Sequence, residues 1–335
     1  MTALASTAPP SPLPQRGIQG FFGAILAGLA AGGLCVLIFG SENHNAFLAG
    51  AILLMPIPLF LAGLGIGRGD AIVAAVVSAA VMTIGLNAKI MMVMLAVYVL
   101  PVLLLCLLAL RYRYDDHGDL FWYPAGRLLT ALTLYPIIVF GLFSMMSGNV
   151  DLEGLLRDMM TGMLDTALKL ETTPTVLNDP EIKKDVVAMI VSILPGMFTA
   201  SWILVILTNA LWAQYALANN KAALRPMPKL TEMELPSWLL VLLALMGLLA
   251  SFFDGPVAYF AQNTLLPLSL PYFFVGMALM HVWAERRKHK MLWLIAFYVL
   301  VGISGWPAVL VTAAGVLEPW LHLRAKITAA RKRPG

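Results

Sequence analysis

The side chains of this chain that could bind a ligand are uncharged hydrogen-bonding groups inside long apolar stretches. Hydroxyl and amide groups donate and accept hydrogen bonds without a charge, so they suit a small polar molecule. Hydrogen bonding between helices is the alternative role for each of them. The candidate ligand-binding residues are Ser192, Thr199, Asn209, Gln214 and Asn263.

No sequence motif indicates catalysis. The chain lacks the phosphate loop G-x-x-x-x-G-K-[ST], the zinc motif H-E-x-x-H, the nucleophile elbow G-x-S-x-G and the dinucleotide fingerprint. None of the histidines has metal-ligand spacing to an acidic or thiol partner. We therefore predict a protein that is not an enzyme and that has no catalytic residue, cofactor or metal. The histidines are His44, His117, His281, His289 and His322.

Acidic and basic side chains are missing from the middles of the apolar stretches. A charge inside a bilayer is costly and usually functional, because hydrocarbon does not solvate it. Transport coupled to ions through an embedded carboxylate is therefore disfavoured. Since ATP-binding motifs are missing as well, active uptake would take its energy from a separate partner, such as an ATPase subunit.

The composition indicates that lipid surrounds most of the chain. Of the 335 residues, 60% are hydrophobic and only 12% are charged, and the mean hydropathy is +0.84. A water-soluble core could not bury this much apolar surface. The net charge of +4 does not indicate binding to nucleic acid, because no aromatic and basic platform for base stacking accompanies it. We expect these cations to meet lipid headgroups.

Eight apolar stretches are long enough to be read as membrane spans, since a crossing of about 30 Å needs about 20 apolar residues. Alternation with a period of two is absent, and an open sheet edge cannot be satisfied in hydrocarbon. The predicted fold class is all-α, a polytopic transmembrane helical bundle of about eight to ten spans. The stretches are approximately 17–40, 46–67, 70–86, 90–110, 125–146, 186–217, 238–253 and 264–282.

A ninth apolar stretch, residues 291–321, has two interpretations. As one straight helix it would be about 46 Å long, which is too much for one upright span and too little for two full crossings. Gly302, Gly305 and Pro307 lie near its middle. A short hairpin and a strongly kinked helix both fit this pattern.

The largest excursion from the apolar stretches is residues 147–185. Its apolar residues between 151 and 170 follow a helical stripe, with polar residues on the opposite face. We predict an amphipathic helix on the outer surface of the membrane. It would be either an ordinary interfacial helix or a lid over a binding cavity.

The small and cyclic residues within the stretches predict packing and kinks. Gly28 and Gly32 form a small-xxx-small face, which we interpret as packing between helices of the same chain. Prolines such as Pro195 interrupt several stretches, and each frees a backbone carbonyl that needs a new partner. Broken helices of this kind line substrate cavities in some transporters, although a packing kink is the commoner case.

The distribution of Lys and Arg predicts the topology, because basic loops stay in the cytoplasm. With the N-terminus inside, most basic loops fall on the same side, and the basic C-terminal tail joins them if residues 291–321 form a hairpin. We predict a disordered cytoplasmic tail at 1–16, a transmembrane domain at 17–323 and a basic cytoplasmic tail at 324–335. The expected location is a bacterial inner membrane.

Four short motifs resemble the YybS-like family of predicted bacterial membrane proteins, over nearly the whole chain. They are MPIPLFLAGLGIGRGDA from Met55, WYPAG at Trp122 to Gly126, LP at Leu235 and Pro236, and GVLEPWLHLR at Gly315 to Arg324. The last motif departs from the family pattern, with Glu318 where Asp is frequent. The resemblance implies a helical membrane bundle and transfers no catalytic residue.

That family is similar in outline to the substrate-binding subunits of energy-coupling-factor vitamin transporters, which pair with separate ATPase and coupling subunits. The resemblance thus implies small-molecule uptake. We predict a membrane protein that binds or helps move a small molecule, with the lipid bilayer and other membrane or ATPase subunits as partners.

Two other functions are kept as alternatives. The first is a scaffold or assembly factor of the cell envelope, which would dock partners on its basic loops. The second is a membrane enzyme acting on lipid-linked substrates, for which only Asp115, Asp116, His117 and Asp119 form a suitable polar cluster. A solvated loop is the simpler interpretation of that cluster.

Overall fold

The fold is helical throughout most of the part of the chain that the structure describes. The computed structural model describes residues 12–13, 17–40, 50–146, 152–169, 179–285 and 287–329. Nearly all of the predicted N-terminal tail and the end of the predicted C-terminal tail lie outside these residues. The chain divides into two compact units, which are described one at a time.

The first unit takes residues from 1–128 and 204–229. Its helices are named in chain order, and a 3₁₀ turn at Ile52–Leu54 precedes the second one. The fourth helix includes a π-helical turn at Leu95–Val99, just before Pro101. The helices are α1 (Ile18–Phe39), α2 (Ile57–Gly65), α3 (Arg68–Gly85) and α4 (Ala88–Ala109).

The second unit takes residues from 129–203 and 230–335. Two helices, α5 (Ala125–Met146) and α7 (Pro180–Asn219), contribute residues to both units. A 3₁₀ turn at Leu230–Glu232 precedes α8. The helices are α5 (Ala125–Met146), α6 (Leu152–Lys169), α7 (Pro180–Asn219), α8 (Ser237–Phe252), α9 (Gly255–Ala284), α10 (Lys290–Ser304), α11 (Pro307–Leu321) and α12 (Leu323–Ala329).

Six helices in the described residues are long and apolar enough to cross a membrane, which confirms the polytopic helical bundle. They are α1, α3, α4, α5, α7 and α9. The predicted span at 238–253 corresponds to α8, which has 16 residues, and the span at 46–67 to the apolar segment Ile52–Gly65, which includes α2. These two are shorter than a full crossing, and residues 46–49 lie outside the described part.

Residues 291–321 form two helices instead of one. The axes of α10 and α11 are bent by 115° at a short break. Gly305 makes the bend possible, because its φ of 68° lies in the left-handed region that favours glycine. Pro307 then starts α11, at a position where its missing N–H has no helical partner. The side of the membrane on which the C-terminus lies stays a prediction.

A β-hairpin that no pattern in the sequence predicted follows α4. Strands β1 (Tyr112–Tyr114) and β2 (Leu120–Trp122) are antiparallel, with Tyr112 opposite Trp122. Aromatic side chains favour strands, and Tyr112 makes an edge-to-face contact with Trp122. The turn holds the polar cluster, and the Asp115 carboxylate accepts hydrogen bonds from the backbone N–H groups of His117 and Asp119.

The helices of each unit approach closely where glycine replaces a side chain. In the first unit, a Cβ built at Gly28 would lie 2.6 Å from the carbonyl oxygen of Ala74 on α3. This confirms that the small face of α1 packs within the chain. In the second unit, a Cβ at Gly315 of α11 would overlap the carbonyl oxygen of Tyr272 on α9. The backbones of α9 and α11 therefore leave no room for a methyl group at this point.

Replacing Gly315 by Ala is expected to lower the free energy of unfolding by about 2 kcal/mol, because the new methyl group overlaps backbone atoms that cannot move aside. The matched control is Gly302→Ala on α10, where a Cβ would meet no atom within 4 Å. That change should stabilise the helix by about 0.5–1 kcal/mol. Thermal unfolding of the two variants in detergent measures the difference, and equal stabilities would contradict the close approach of α9 and α11.

Candidate functional site

The candidate ligand-binding residues are divided between the two units. Ser192, Thr199 and Asn263 belong to the second unit, and Asn209 and Gln214 to the first. Each makes hydrogen bonds to backbone groups of its own unit. Their assignment to ligand binding stays a prediction, but their contacts already give each of them a structural role.

Asn263 of α9 repairs a break in α7 at Pro195. Because proline has no N–H, the carbonyl of Val191 loses its helical partner, and it accepts a hydrogen bond of 3.0 Å from the Tyr259 hydroxyl instead. The Asn263 side chain accepts from the backbone N–H of Gly196 (2.8 Å) and donates to the carbonyl of Ser192 (3.0 Å). One amide group thus replaces the helical bond between those two backbone groups.

The hydrogen-bonding capacity of Asn263 is used within the second unit. Its side-chain nitrogen also donates to the carbonyl of Tyr259, so both of its hydrogens have acceptors. The hydroxyls of Ser192 and Thr199 donate to backbone carbonyls of their own helix, Met189 (2.8 Å) and Pro195 (2.7 Å). These groups satisfy the backbone around the proline.

Asn209 and Gln214 bind loops of the first unit to α7. The side-chain nitrogen of Asn209 donates to the carbonyl of Leu53 (2.8 Å), in the 3₁₀ turn before α2. That of Gln214 donates to the carbonyl of Arg225 (2.7 Å). The side-chain oxygens of both amides are buried, and they have no hydrogen-bond partner among the residues that the structure describes.

Arg225 is a buried cation in the loop that follows α7. Its side chain is 7% exposed, and its guanidinium donates to the carbonyls of Ala109 (2.9 Å) and Tyr123 (3.4 Å). Burial lowers the pKa of this guanidinium, because desolvation disfavours its charged form. Ala109 ends α4, so the cation lies at the negative end of that helix. No pattern in the sequence distinguishes Arg225 from the other loop cations.

A second buried charge, Glu318, forms an ion pair with Arg324 in the motif GVLEPWLHLR. The guanidinium donates to the Glu318 carboxylate at 2.9 Å and also to the carbonyls of Thr231 and Met233. His322 has left-handed backbone angles, so the chain turns sharply after α11 and brings Arg324 back to Glu318. A pocket of about 460 Å³ lies beside the ion pair, and both of its residues line the pocket. The acid and base are six residues apart across this turn, so helical spacing could not predict the pair.

A pocket lies between α6 and α7, and we call it the α6–α7 pocket. Its volume is about 540 Å³, which is within the range of small-molecule sites. Four of its nine lining residues are cationic and one is acidic. The lining consists of Arg157, Thr161, Asp165, Leu168, Lys169, Pro180, Lys183, Lys184 and Val187.

Two of the four cations in the α6–α7 pocket already have acidic partners. Lys183 pairs with Asp165 and so ties the two helices together, and Arg157 pairs with Glu153 at 2.7 Å. Lys169 and Lys184 make no ion pair with any residue that the structure describes. The pocket therefore has an excess of positive charge, and an anion is the ligand that it favours.

The α6–α7 pocket lies in the excursion that the sequence predicted as a surface amphipathic helix, and the helix is confirmed as α6. Its cations are not among the residues predicted to bind a ligand, although four bases near one another on two helices were a usable signal. The lining offers no nucleophile with a neighbouring base, since Thr161 donates its hydroxyl to the carbonyl of Arg157. Among the described residues, no group of three or more His, Cys, Asp or Glu could hold a metal ion.

The apolar helices and the pocket define a multi-pass α-helical membrane protein with a cationic pocket between α6 and the first turns of α7. The chain belongs to DUF2232, a family described as predicted membrane proteins, whose model matches residues 33–318. The chain matches no curated protein and no solved structure. The finer resemblance to YybS-like and energy-coupling-factor proteins stays a prediction, as do the inner-membrane location and the cytoplasmic N-terminus.

Replacing Asn263 by Ala should lower the free energy of unfolding by about 2 kcal/mol, because it leaves Gly196 N–H and the Ser192 carbonyl without a partner. In a Pro195→Ala background, α7 can close its own helical hydrogen bonds, so the same replacement should cost about 1 kcal/mol less. Thermal unfolding of the two single variants and the double variant measures this coupling. Additive effects would show that Asn263 does not repair the break at Pro195.

Replacing Glu318 by Gln should destabilise the protein by about 3 kcal/mol, because it leaves a largely buried guanidinium without its counter-ion. The further change Arg324→Gln should then cost less than it does alone. Glu153→Gln is the matched control, because its pair with Arg157 is more exposed and should contribute about 0.5 kcal/mol or less. Equal losses in detergent unfolding experiments would contradict a special role for the Glu318–Arg324 pair.

Proposed function

We propose that the protein binds a small anion in the α6–α7 pocket. The observation that carries the proposal is the charge of this pocket, in which Lys169 and Lys184 have no described acidic partner. An excess of positive charge around a concave site raises the local concentration of anions and favours their binding. The volume of about 540 Å³ leaves room for an organic anion.

We propose binding instead of catalysis as the activity of this site. A catalytic site needs a nucleophile or an acid and base placed for proton transfer, and the α6–α7 pocket offers ion pairs, lysines and apolar walls. Such a lining can hold a charged molecule and release it unchanged.

The same proposal extends to a part in transport. A multi-pass membrane protein that holds a ligand beside its apolar helices is suited to passing the ligand on. Because the sequence has no ATP-binding motif and no charges in the middles of its apolar stretches, a separate ATPase or membrane subunit would supply the energy. The existence of this partner subunit is part of the proposal.

Full-length protein in detergent should bind citrate in isothermal titration calorimetry, and the affinity should fall as NaCl is raised, because salt screens the lysines. The double variant Lys169→Gln, Lys184→Gln should bind about tenfold more weakly, since two attractive charges are lost. The matched control is Lys89→Gln, which removes an exposed lysine of α4 outside the pocket.

The cation choline and the neutral molecule glycerol should not bind under the same conditions. Citrate binding that is unchanged in the double variant, or choline binding of equal strength, would contradict an anion site in the α6–α7 pocket.

A further inference from the structure

We infer that the pocket beside the Glu318–Arg324 ion pair binds a small organic cation through a primary ammonium group. We call it the Glu318 pocket. Its volume is about 460 Å³, and its lining comes from the loop before α8, from α9, from the end of α11 and from the residues that follow α11. It shares no lining residue with the α6–α7 pocket, so this inference does not rest on the proposed function.

The Glu318–Arg324 ion pair holds the Glu318 pocket together. The Arg324 guanidinium binds the Glu318 carboxylate and also donates to the carbonyls of Thr231 and Met233, so it fixes the loop before α8 against the end of α11. Glu234 follows Met233 directly and lines the pocket. The ion pair therefore positions the Glu234 backbone before any ligand binds, which lowers the ordering cost of binding.

The charges of the lining favour a cation. Two carboxylates, Glu234 and Glu318, and one guanidinium, Arg324, line the pocket. Arg324 and Glu318 neutralise each other, whereas Glu234 is exposed and forms no ion pair with any residue that the structure describes. The lining thus has a surplus of negative charge when the His322 ring is neutral, and such a surplus attracts cations.

Two buried polar groups of the Glu318 pocket still have hydrogen-bonding capacity. Glu318 Oε2 accepts from the backbone N–H of Arg324 at 3.3 Å, and it shares that donor with Oε1, so a lone pair is left. Tyr272 is 2% exposed and lines the pocket, and its hydroxyl has no hydrogen-bond partner within the described part of the chain. A buried tyrosine hydroxyl usually has a partner, which a ligand would supply here.

A primary ammonium group matches this set of acceptors. It has one positive charge and three N–H donors, which can bind the oxygens of Glu234, Glu318 and Tyr272. A quaternary ammonium group has no N–H and is held by cages of aromatic rings, but Tyr272 is the one Phe, Tyr or Trp residue in the lining. A metal ion is disfavoured, because no group of three or more His, Cys, Asp or Glu among the described residues could hold one.

The experiment compares three probes by NMR titration of full-length protein in dodecyl maltoside at about pH 7, where alkylamines are protonated. The probes are butylamine, tetramethylammonium and butyrate. Butylamine is expected to bind about tenfold more tightly than either of the others, because only it combines a positive charge with N–H donors.

Two variants test the groups that would hold the ammonium. Glu234→Gln should weaken butylamine binding about tenfold, because the unpaired charge is lost. Its thermal unfolding should be unchanged, because the Glu234 side chain is exposed and has no ion pair in the described residues. Tyr272→Phe keeps the ring and should weaken binding about threefold. The matched control is Glu232→Gln, in the same loop but outside the lining, which should bind butylamine normally.

Three results would overturn the inference. They are tetramethylammonium or butyrate binding as tightly as butylamine, butylamine binding that is unchanged in both Glu234→Gln and Tyr272→Phe, and displacement of butylamine by MgCl₂ at constant ionic strength, which would identify a metal site.

A comparison of nanodiscs identifies the source of the ammonium group. If phosphatidylethanolamine nanodiscs weaken butylamine binding relative to phosphatidylcholine nanodiscs, the primary ammonium of a lipid headgroup occupies the pocket. Equal binding in the two lipids supports a water-soluble amine as the ligand.

Discussion

The fold depends on one constraint, that every backbone group opened within an apolar helix must find a partner inside the protein. At Pro195 the partners are the amide of Asn263 and the hydroxyl of Tyr259, which replace two lost helical bonds of α7. The side chain of Asn209 likewise donates a hydrogen bond to the carbonyl of Leu53, in the 3₁₀ turn before α2. These uncharged polar residues therefore form hydrogen bonds with the backbone of their own chain. Those hydrogen bonds explain their positions without a ligand.

Buried charges follow the same rule at the ends of helices. Arg225 donates to carbonyls at the end of α4 and after β2, and Arg324 joins Glu318 to the carbonyls of the turn before α8. Removing a guanidinium from water is costly, and several hydrogen bonds to oxygen atoms offset that cost. These two arginines hold loops against helix ends, so their charges are already used within the structure.

The cations of the α6–α7 pocket differ from Arg225 and Arg324. Only two of the four form ion pairs with described acidic residues. The pocket also lies on a helix whose apolar stripe is exposed on the opposite side. Within the described part of the chain, this pocket combines open volume with cations that have no described acidic partner, between α6 and the first turns of α7.

The sequence by itself determined the helical membrane fold and the amphipathic helix α6, because both follow from apolar length and periodicity, which are local properties. It did not predict the hairpin, whose pairing of Tyr112 with Trp122 needs two segments in register. Nor did it predict the contact of Asn263 with Gly196, 67 residues away, or the turn at His322 that joins Glu318 to Arg324. Only the tertiary structure decided these, because a hydrogen bond or ion pair forms within a few ångströms, and the packing of separate segments sets such distances.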